Sequence, residues 1–176
     1  MDAMYKELAS ILENNVDIII CETMSHSAEA RSALAAIQNS NSQKWLGWTL
    51  YGNQNTLPSG ETITEAFNAV SDLKCDAYLI NCGGVNLITE GIRELRSLTD
   101  KRIGGYGNSE KIEISKEDRS DRPEEDHWSS ATTITEKEYA KETQIWVEEG
   151  ATIVAGCCRT RPSHIKILAE TFQENN

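Results

Sequence analysis

The chain has 176 residues, 39% of them hydrophobic, and 28 Asp or Glu against 17 Lys or Arg leave a formal net charge of −11. That balance excludes nucleic acid and anionic membrane surfaces as principal partners, because both are polyanions. A complete (β/α)8 barrel takes about 250 residues, so this length holds one domain, 1–176, and at most part of such a barrel. No apolar run approaches the roughly 20 residues that span a bilayer. The stretch from Met1 to Glu7 has no basic region leading into an apolar one, so no secretory signal is read there. A cytoplasmic protein is expected, with its five cysteines as thiols.

Two periods alternate along the chain. Met4, Leu8, Ile11 and Leu12 mark one face of a first helix. Val16 to Cys21 is short and β-branched, as in a buried strand. Ala28, Leu34, Ala35 and Ile37 give a second helix, with Ser25 and Ser27 as candidate caps. Trp45 to Leu50 is the next strand, and Thr62-Ile63-Thr64-Glu65 is a capping box opening a helix through Ile63, Phe67 and Val70. Ala77 to Asn81 is a strand followed by a helix carrying Ile88, Ile92 and Leu95. Arg102 to Tyr106 is a fourth strand. Residues 110–133 break the rhythm, with twelve charged residues of both signs between Glu110 and Trp128. Such a run is expected as a charged surface loop, with a lid over the strand ends as the alternative. A second capping box, Thr135 to Glu138, leads a helix to its stop at Gly150. Ala151 to Ala155 is the fifth strand, and Pro162 to Gln173 the last helix. Strands recurring about every 34 residues between helices predict an α/β fold of five parallel β/α units with right-handed crossovers.

Cys82 directly follows the third strand, and the adjacent pair Cys157-Cys158 directly follows the fifth. The carboxyl ends of parallel strands share one edge, where sites form, so three thiols can converge there. Successive strand residues point to opposite faces. The pair can therefore serve one site only if the chain has left the strand, and Gly156 permits such a turn. Three thiolates suit Zn2+ and leave its fourth position open for an exchangeable ligand. Buried core thiols or a redox-reactive pair explain the same residues, and Cys21 and Cys75 are read as core filling.

The segment Val154 to Ile165, with Gly156-Cys157-Cys158 and the downstream Pro162 and His164, resembles the C-terminal zinc motif of the homocysteine S-methyltransferase family. Tyr78 to Cys82 is similar to that family's strand bearing its first zinc cysteine, and Asp17 to Met24 to the strand whose Glu contacts homocysteine. Tyr106 to Ser109 and Trp146 to Ala151 are similar to further elements, in the same order. The resemblance implies strands four to eight of a TIM (β/α)8 barrel, with Zn2+ held by Cys82, Cys157 and Cys158. It implies that Glu22 holds the substrate ammonium and that Asn81 and Asn108 line the site. His164 falls in the first turn of the last helix and is read as structural, not as a ligand. The implied reaction is methyl transfer from a sulfonium, S-methylmethionine or S-adenosylmethionine, to the thiol of homocysteine, giving methionine.

The family's first three β/α units, including its Asp-Gly-Gly element, have no counterpart here. Removing three strands from a barrel leaves two open edges and an opened core. Pairing with another chain, through self-association or a complementing chain, a non-barrel rearrangement or marginal stability is then expected. Local departures are Ala155, where the family commonly has a second Gly before the cysteine pair, Arg159, where it tends to have Gly, and Arg161, where a hydroxyl residue is usual before the Pro. Two other functions stay open: a catalytically inactive zinc-binding remnant, and a thiol redox or interaction module built on Cys157-Cys158.

Overall fold

A computed structural model describes residues 2–13, 15–51, 55–112 and 131–173. Helix α1 (Asp2–Leu12) precedes β1 (Ile18–Met24), α2 (Ser27–Ala36), β2 (Gln43–Thr49), α3 (Ile63–Asn68), β3 (Ala77–Gly84) and α4 (Val85–Leu98). There follow β4 (Arg102–Asn108), β5 (Glu110–Ile112), β6 (Ala131–Thr133), α5 (Glu136–Glu148), β7 (Ile153–Gly156) and α6 (Pro162–Gln173). Five strands form one sheet in the order β1-β2-β3-β4-β7, every neighbouring pair parallel. Among the described residues the sheet stays open, with β1 and β7 as its edges, so this is a partial TIM-barrel-like fold and not a closed barrel. Residues 113–130, the bulk of the expected charged loop, lie outside the described residues. Their flanks, β5 and β6, pair antiparallel.

Alternation along β1 sorts the two faces of the sheet. Ile19, Cys21 and Met24 are buried, whereas Ile18 and Ile20 remain 37% and 43% exposed. The core is built from Leu46, Trp48, Tyr78, Ile80 and Ile103 of the strands and Leu34, Ile88, Ile92 and Trp146 of the helices. Both capping boxes form as read: Thr62 and Thr135 each accept from the backbone N–H three residues on, and Glu65 and Glu138 reciprocate.

Several elements differ from what periodicity predicts. The α2 cap is His26, whose Nδ1 accepts from the Ala28 N–H at 3.1 Å. Ser27 is not free for that role, because its hydroxyl and its N–H both go to Glu61. Helix α3 ends at Asn68, before Val70. β1, β3 and β4 run on to Met24, Gly84 and Asn108, two or three residues past the expected ends. The apolar face of α1 is turned outward: Met4, Leu8 and Ile11 are 75%, 53% and 61% exposed. The helix packs on α2 along the flank of that face, with Ala9 buried and Tyr5 and Leu12, the fourth residue of the expected face, half-buried.

Candidate metal centre

The parallel sheet brings the carboxyl ends of β1, β3, β4 and β7 to one edge, and two of those ends are bulged. The β1–β2 register slips between Cys21 and Met24, and the β3–β4 register between Asn81 and Gly84. At the bulges Thr23 and Cys82 take positive φ, 59° and 58°. A side chain in the left-handed region carries strain of about 1–2 kcal/mol, and bulges that re-aim a side chain concentrate beside active sites. The slip at β3 takes Cys82 out of simple alternation with Asn81, so its thiol reaches the β7 turn. The Sγ atoms of Cys82, Cys157 and Cys158 all lie within 4.8 Å of one another, and Cys82 and Cys158 are 3.8 Å apart.

The two adjacent cysteines share the site because β7 stops at Gly156. Cys157 to Thr160 form a turn, closed by the Thr160 N–H to the Cys157 carbonyl at 3.2 Å and reinforced by the Thr160 hydroxyl at 2.7 Å. The left-handed residue in that turn is Arg159, at φ 62°, and not Gly156. Glycine at 156 serves space instead, since a Cβ there would come 2.5 Å from Thr160 Oγ1. Cys157 is anchored to β4 by its N–H to the Gly107 carbonyl at 2.8 Å.

A tetrahedral ion with Zn–S bonds of about 2.3 Å separates its sulfurs by about 3.8 Å. The Cys82–Cys158 distance of 3.8 Å meets that requirement, and the all-sulfur donor set suits Zn2+. Burial, then the nearness of Cys157, pushes the Cys82 thiol up to about 12. Burial raises Cys157 as well. Both are therefore thiols at neutral pH until a cation displaces their protons. Cys21 and Cys75 sit apart in the core, where burial raises them to about 12 and about 11.

Glu22 is exposed on β1, with Tyr106 of β4 donating to its Oε2 at 3.3 Å. Burial, and then the Glu22 carboxylate, holds the Tyr106 proton well above the ordinary phenol range. Motif reading gave the Tyr106 hydroxyl no role. The signal lay in the parallel register, which pairs Tyr106 with Asn81 and so puts both on one face. Asn81 is fully buried, its amide donating to Thr23 Oγ1 at 2.7 Å and accepting from the Thr23 N–H at 3.1 Å. It reaches β1 over Gly47, where a Cβ would come 2.9 Å from its Oδ1 and 3.0 Å from Tyr106 Oη. Asn108 is 1% exposed; it donates to the Cys82 carbonyl at 3.4 Å and to Glu110 at 3.0 Å, and accepts from the Cys158 N–H at 3.1 Å. Of the three residues expected on the substrate side, only Glu22 presents an exposed polar group. His164 is buried, bonded through Nε2 to Ser109 Oγ at 2.9 Å and through Nδ1 to the Arg161 N–H at 3.1 Å. It stands outside the thiol cluster.

A family model described as homocysteine S-methyltransferase matches residues 1–172. The homocysteine S-methyltransferase 1 of Brassica oleracea var. italica is 27% identical over 172 residues, 96% of this chain and 50% of that protein. The same plant's selenocysteine Se-methyltransferase is 28% identical over 162 residues, 90% of this chain and 44% of its own length. The Bacillus subtilis homocysteine S-methyltransferase YbgG is 26% identical, over 92% of this chain and 49% of that protein. Among solved structures, the apo form of the Escherichia coli homocysteine methyltransferase MmuM superposes with a TM-score of 0.72 at 19% identity, over 97% of this chain and 57% of that one. Its metallated form gives 0.69. The chain spans about half the length of the curated relatives it matches.

Proposed function

We infer the function from one premise: this chain belongs to the homocysteine S-methyltransferase family. The reading is zinc-dependent transfer of a methyl group from a sulfonium, S-methylmethionine or S-adenosylmethionine, to the thiol of homocysteine. The observation that carries it is the convergence of Cys82, Cys157 and Cys158 within 4.8 Å at the end of the sheet. These three would hold the ion, which supplies a Lewis acid able to keep an incoming thiol deprotonated at neutral pH.

The chain's own residues would do the rest by placement. Glu22, exposed and oriented by the Tyr106 hydroxyl, would take the substrate ammonium in a charge-assisted hydrogen bond. Asn81 and Asn108 line the site from beneath, the first fixing the β1 end that carries Glu22 and the second the two cysteine segments. In the reaction the homocysteine sulfur forms a bond to the methyl carbon while the donor's C–S bond breaks. The electron pair leaves with the donor sulfide, and the thiol proton goes to solvent. Because the donor leaves as a neutral sulfide that needs no proton, alignment of donor and acceptor is the main demand on the protein.

The product, methionine, puts the reaction in methionine biosynthesis, with the cytoplasm as its proposed compartment. No helix among the described residues is long and apolar enough to cross a membrane. A second reading, zinc binding without turnover, is favoured by the open sheet edges and the exposed Ile18 and Ile20. Under either reading, a second copy or a complementing chain would cover those edges. A redox module on Cys157-Cys158 is less well supported, since a reactive pair needs a lowered thiol pKa and burial raises that of Cys157.

The test is metal analysis of the purified chain beside its Cys82→Ser and Cys157→Ser variants, with methionine formation assayed alongside. About one zinc per chain, lost in both variants, supports the reading. A chain that takes up no zinc, or that methylates without it, overturns it. Zinc without methionine selects the second reading.

A further inference from the structure

Asn108 grips the backbone on both sides of the thiol cluster, donating to the Cys82 carbonyl at 3.4 Å and accepting from the Cys158 N–H at 3.1 Å. Its amide is oriented by Glu110, whose Oε1 takes a hydrogen bond from Asn108 Nδ2 at 3.0 Å. Glu110 is only 1% exposed, and an isolated carboxylate so deep is strongly unfavourable. Its counter-charge is the Arg159 guanidinium, 2.6 Å from Oε2. Arg159 stands in the turn that carries Cys157 and Cys158, at φ 62°, where glycine is the favoured residue. An arginine there strains the backbone, and in exchange neutralises a buried carboxylate that would otherwise face Asn108 alone.

From this arrangement we propose that Glu110 and Arg159 are a positioning pair, which through Asn108 fixes the Cys157-Cys158 turn at ligating distance from Cys82. The proposal rests on the metal-site reading above, and the pair acts through Asn108 and the backbone of the turn. Arg159 thus holds a backbone conformation that a glycine would adopt without strain, and its guanidinium meets Glu110 as an opposite charge. The neighbouring Ser109 N–H to Cys158 carbonyl bond, 3.1 Å, runs along the same seam and transmits any shift of the turn to β4.

The test has two arms, on the full chain and its Glu110→Gln, Arg159→Gly, Arg159→Lys and doubly substituted (E110Q/R159G) variants. In the first, zinc is titrated against a chromophoric chelator, and cobalt(II) spectra report whether the thiolate coordination persists. Glu110→Gln and Arg159→Gly should each weaken zinc about tenfold, the usual scale for residues behind the ligands. The double variant should lose no more than either single one, and Arg159→Lys should recover most of the affinity. Arg159→Gly binding zinc as tightly as the parent chain or tighter, or losses that add in the double variant, would overturn the pair. Should Glu110→Gln fail to fold, Arg159→Gly on its exposed turn decides between the same two outcomes.

The second arm uses zinc-free protein in a Cys157→Ser background, with diamide taking two electrons and two protons from the Cys82 and Cys158 thiols. Capture of that disulfide should be slower once either member of the pair is changed. Equal rates would overturn the proposal. If the parent chain binds no zinc while capture still depends on the pair, the metal reading falls and the positioning role stands.

Discussion

Gly47→Ala puts a methyl group on β2 against the side chains of Asn81 and Tyr106. The added Cβ would lie 2.9 Å from Asn81 Oδ1 and 3.0 Å from Tyr106 Oη. Asn81 is completely buried, so its amide must swing away from Thr23, breaking bonds of 2.7 and 3.1 Å. Each neutral hydrogen bond is worth about 1 kcal/mol net, and a buried amide left unsatisfied costs about 1–3 kcal/mol more. Against this, replacing a strand glycine by alanine gains about 0.4–1 kcal/mol through the unfolded chain. The balance is a loss of about 2–4.5 kcal/mol. In urea, with a slope of about 2 kcal/mol/M, the unfolding midpoint should fall by about 1–2 M. The same displacement frees the Thr23 bulge and, through Tyr106, the Glu22 carboxylate, so under the proposed function homocysteine binding should weaken while zinc content is retained. Equilibrium unfolding followed by circular dichroism measures the first effect and metal analysis the second. A midpoint that rises would disprove the proposed clash, since that is the outcome when backbone entropy acts alone.

His164→Ala removes a buried ring bonded to Ser109 and to the Arg161 N–H. It should cost about 2–3 kcal/mol in unfolding experiments yet leave the zinc content of the folded protein unchanged. Cys21 and Cys75 are buried, whereas Cys158 is exposed and Cys82 and Cys157 are half-buried. A thiol reagent should thus modify three cysteines in the native metal-free chain and all five only in denaturant, with zinc protecting the three. The bidentate pair to Arg31 lowers the Asp72 carboxyl to about 2. A depressed carboxyl contributes stability that is fully present above its unfolded pKa of about 3.9 and is lost as pH falls through about 2. An NMR titration of Asp72 should show that low midpoint, and Arg31→Gln should return it to the ordinary carboxylate range.

The sheet was readable from the sequence because its cause is local. Runs such as Ala77-Tyr78-Leu79-Ile80 are apolar on both faces, as strands covered by helices require. The two capping boxes announced α3 and α5 with their own side chains. What escaped depends on contacts between distant residues. The bulges at Thr23 and Cys82 follow from cross-strand registers, which no window of neighbours encodes. Lys44 is buried with its ammonium on the Ser40 and Ser42 carbonyls, a satisfaction visible only once the loop before β2 has closed over it. Periodicity marked the apolar face of α1 but not what it meets, and Met4, Leu8 and Ile11 meet solvent. At the centre itself the three thiols were legible from motif and strand position, whereas Tyr106 behind Glu22 and Glu110 behind Arg159 emerged only from the folded geometry.

Zinc-edge X-ray absorption on the purified, metal-loaded chain counts the sulfur ligands of the three-thiol centre. Three sulfur neighbours at about 2.3 Å and one lighter atom in the remaining position are expected. Two sulfurs or fewer, or an unchanged spectrum in Cys82→Ser, would contradict a centre built from Cys82, Cys157 and Cys158.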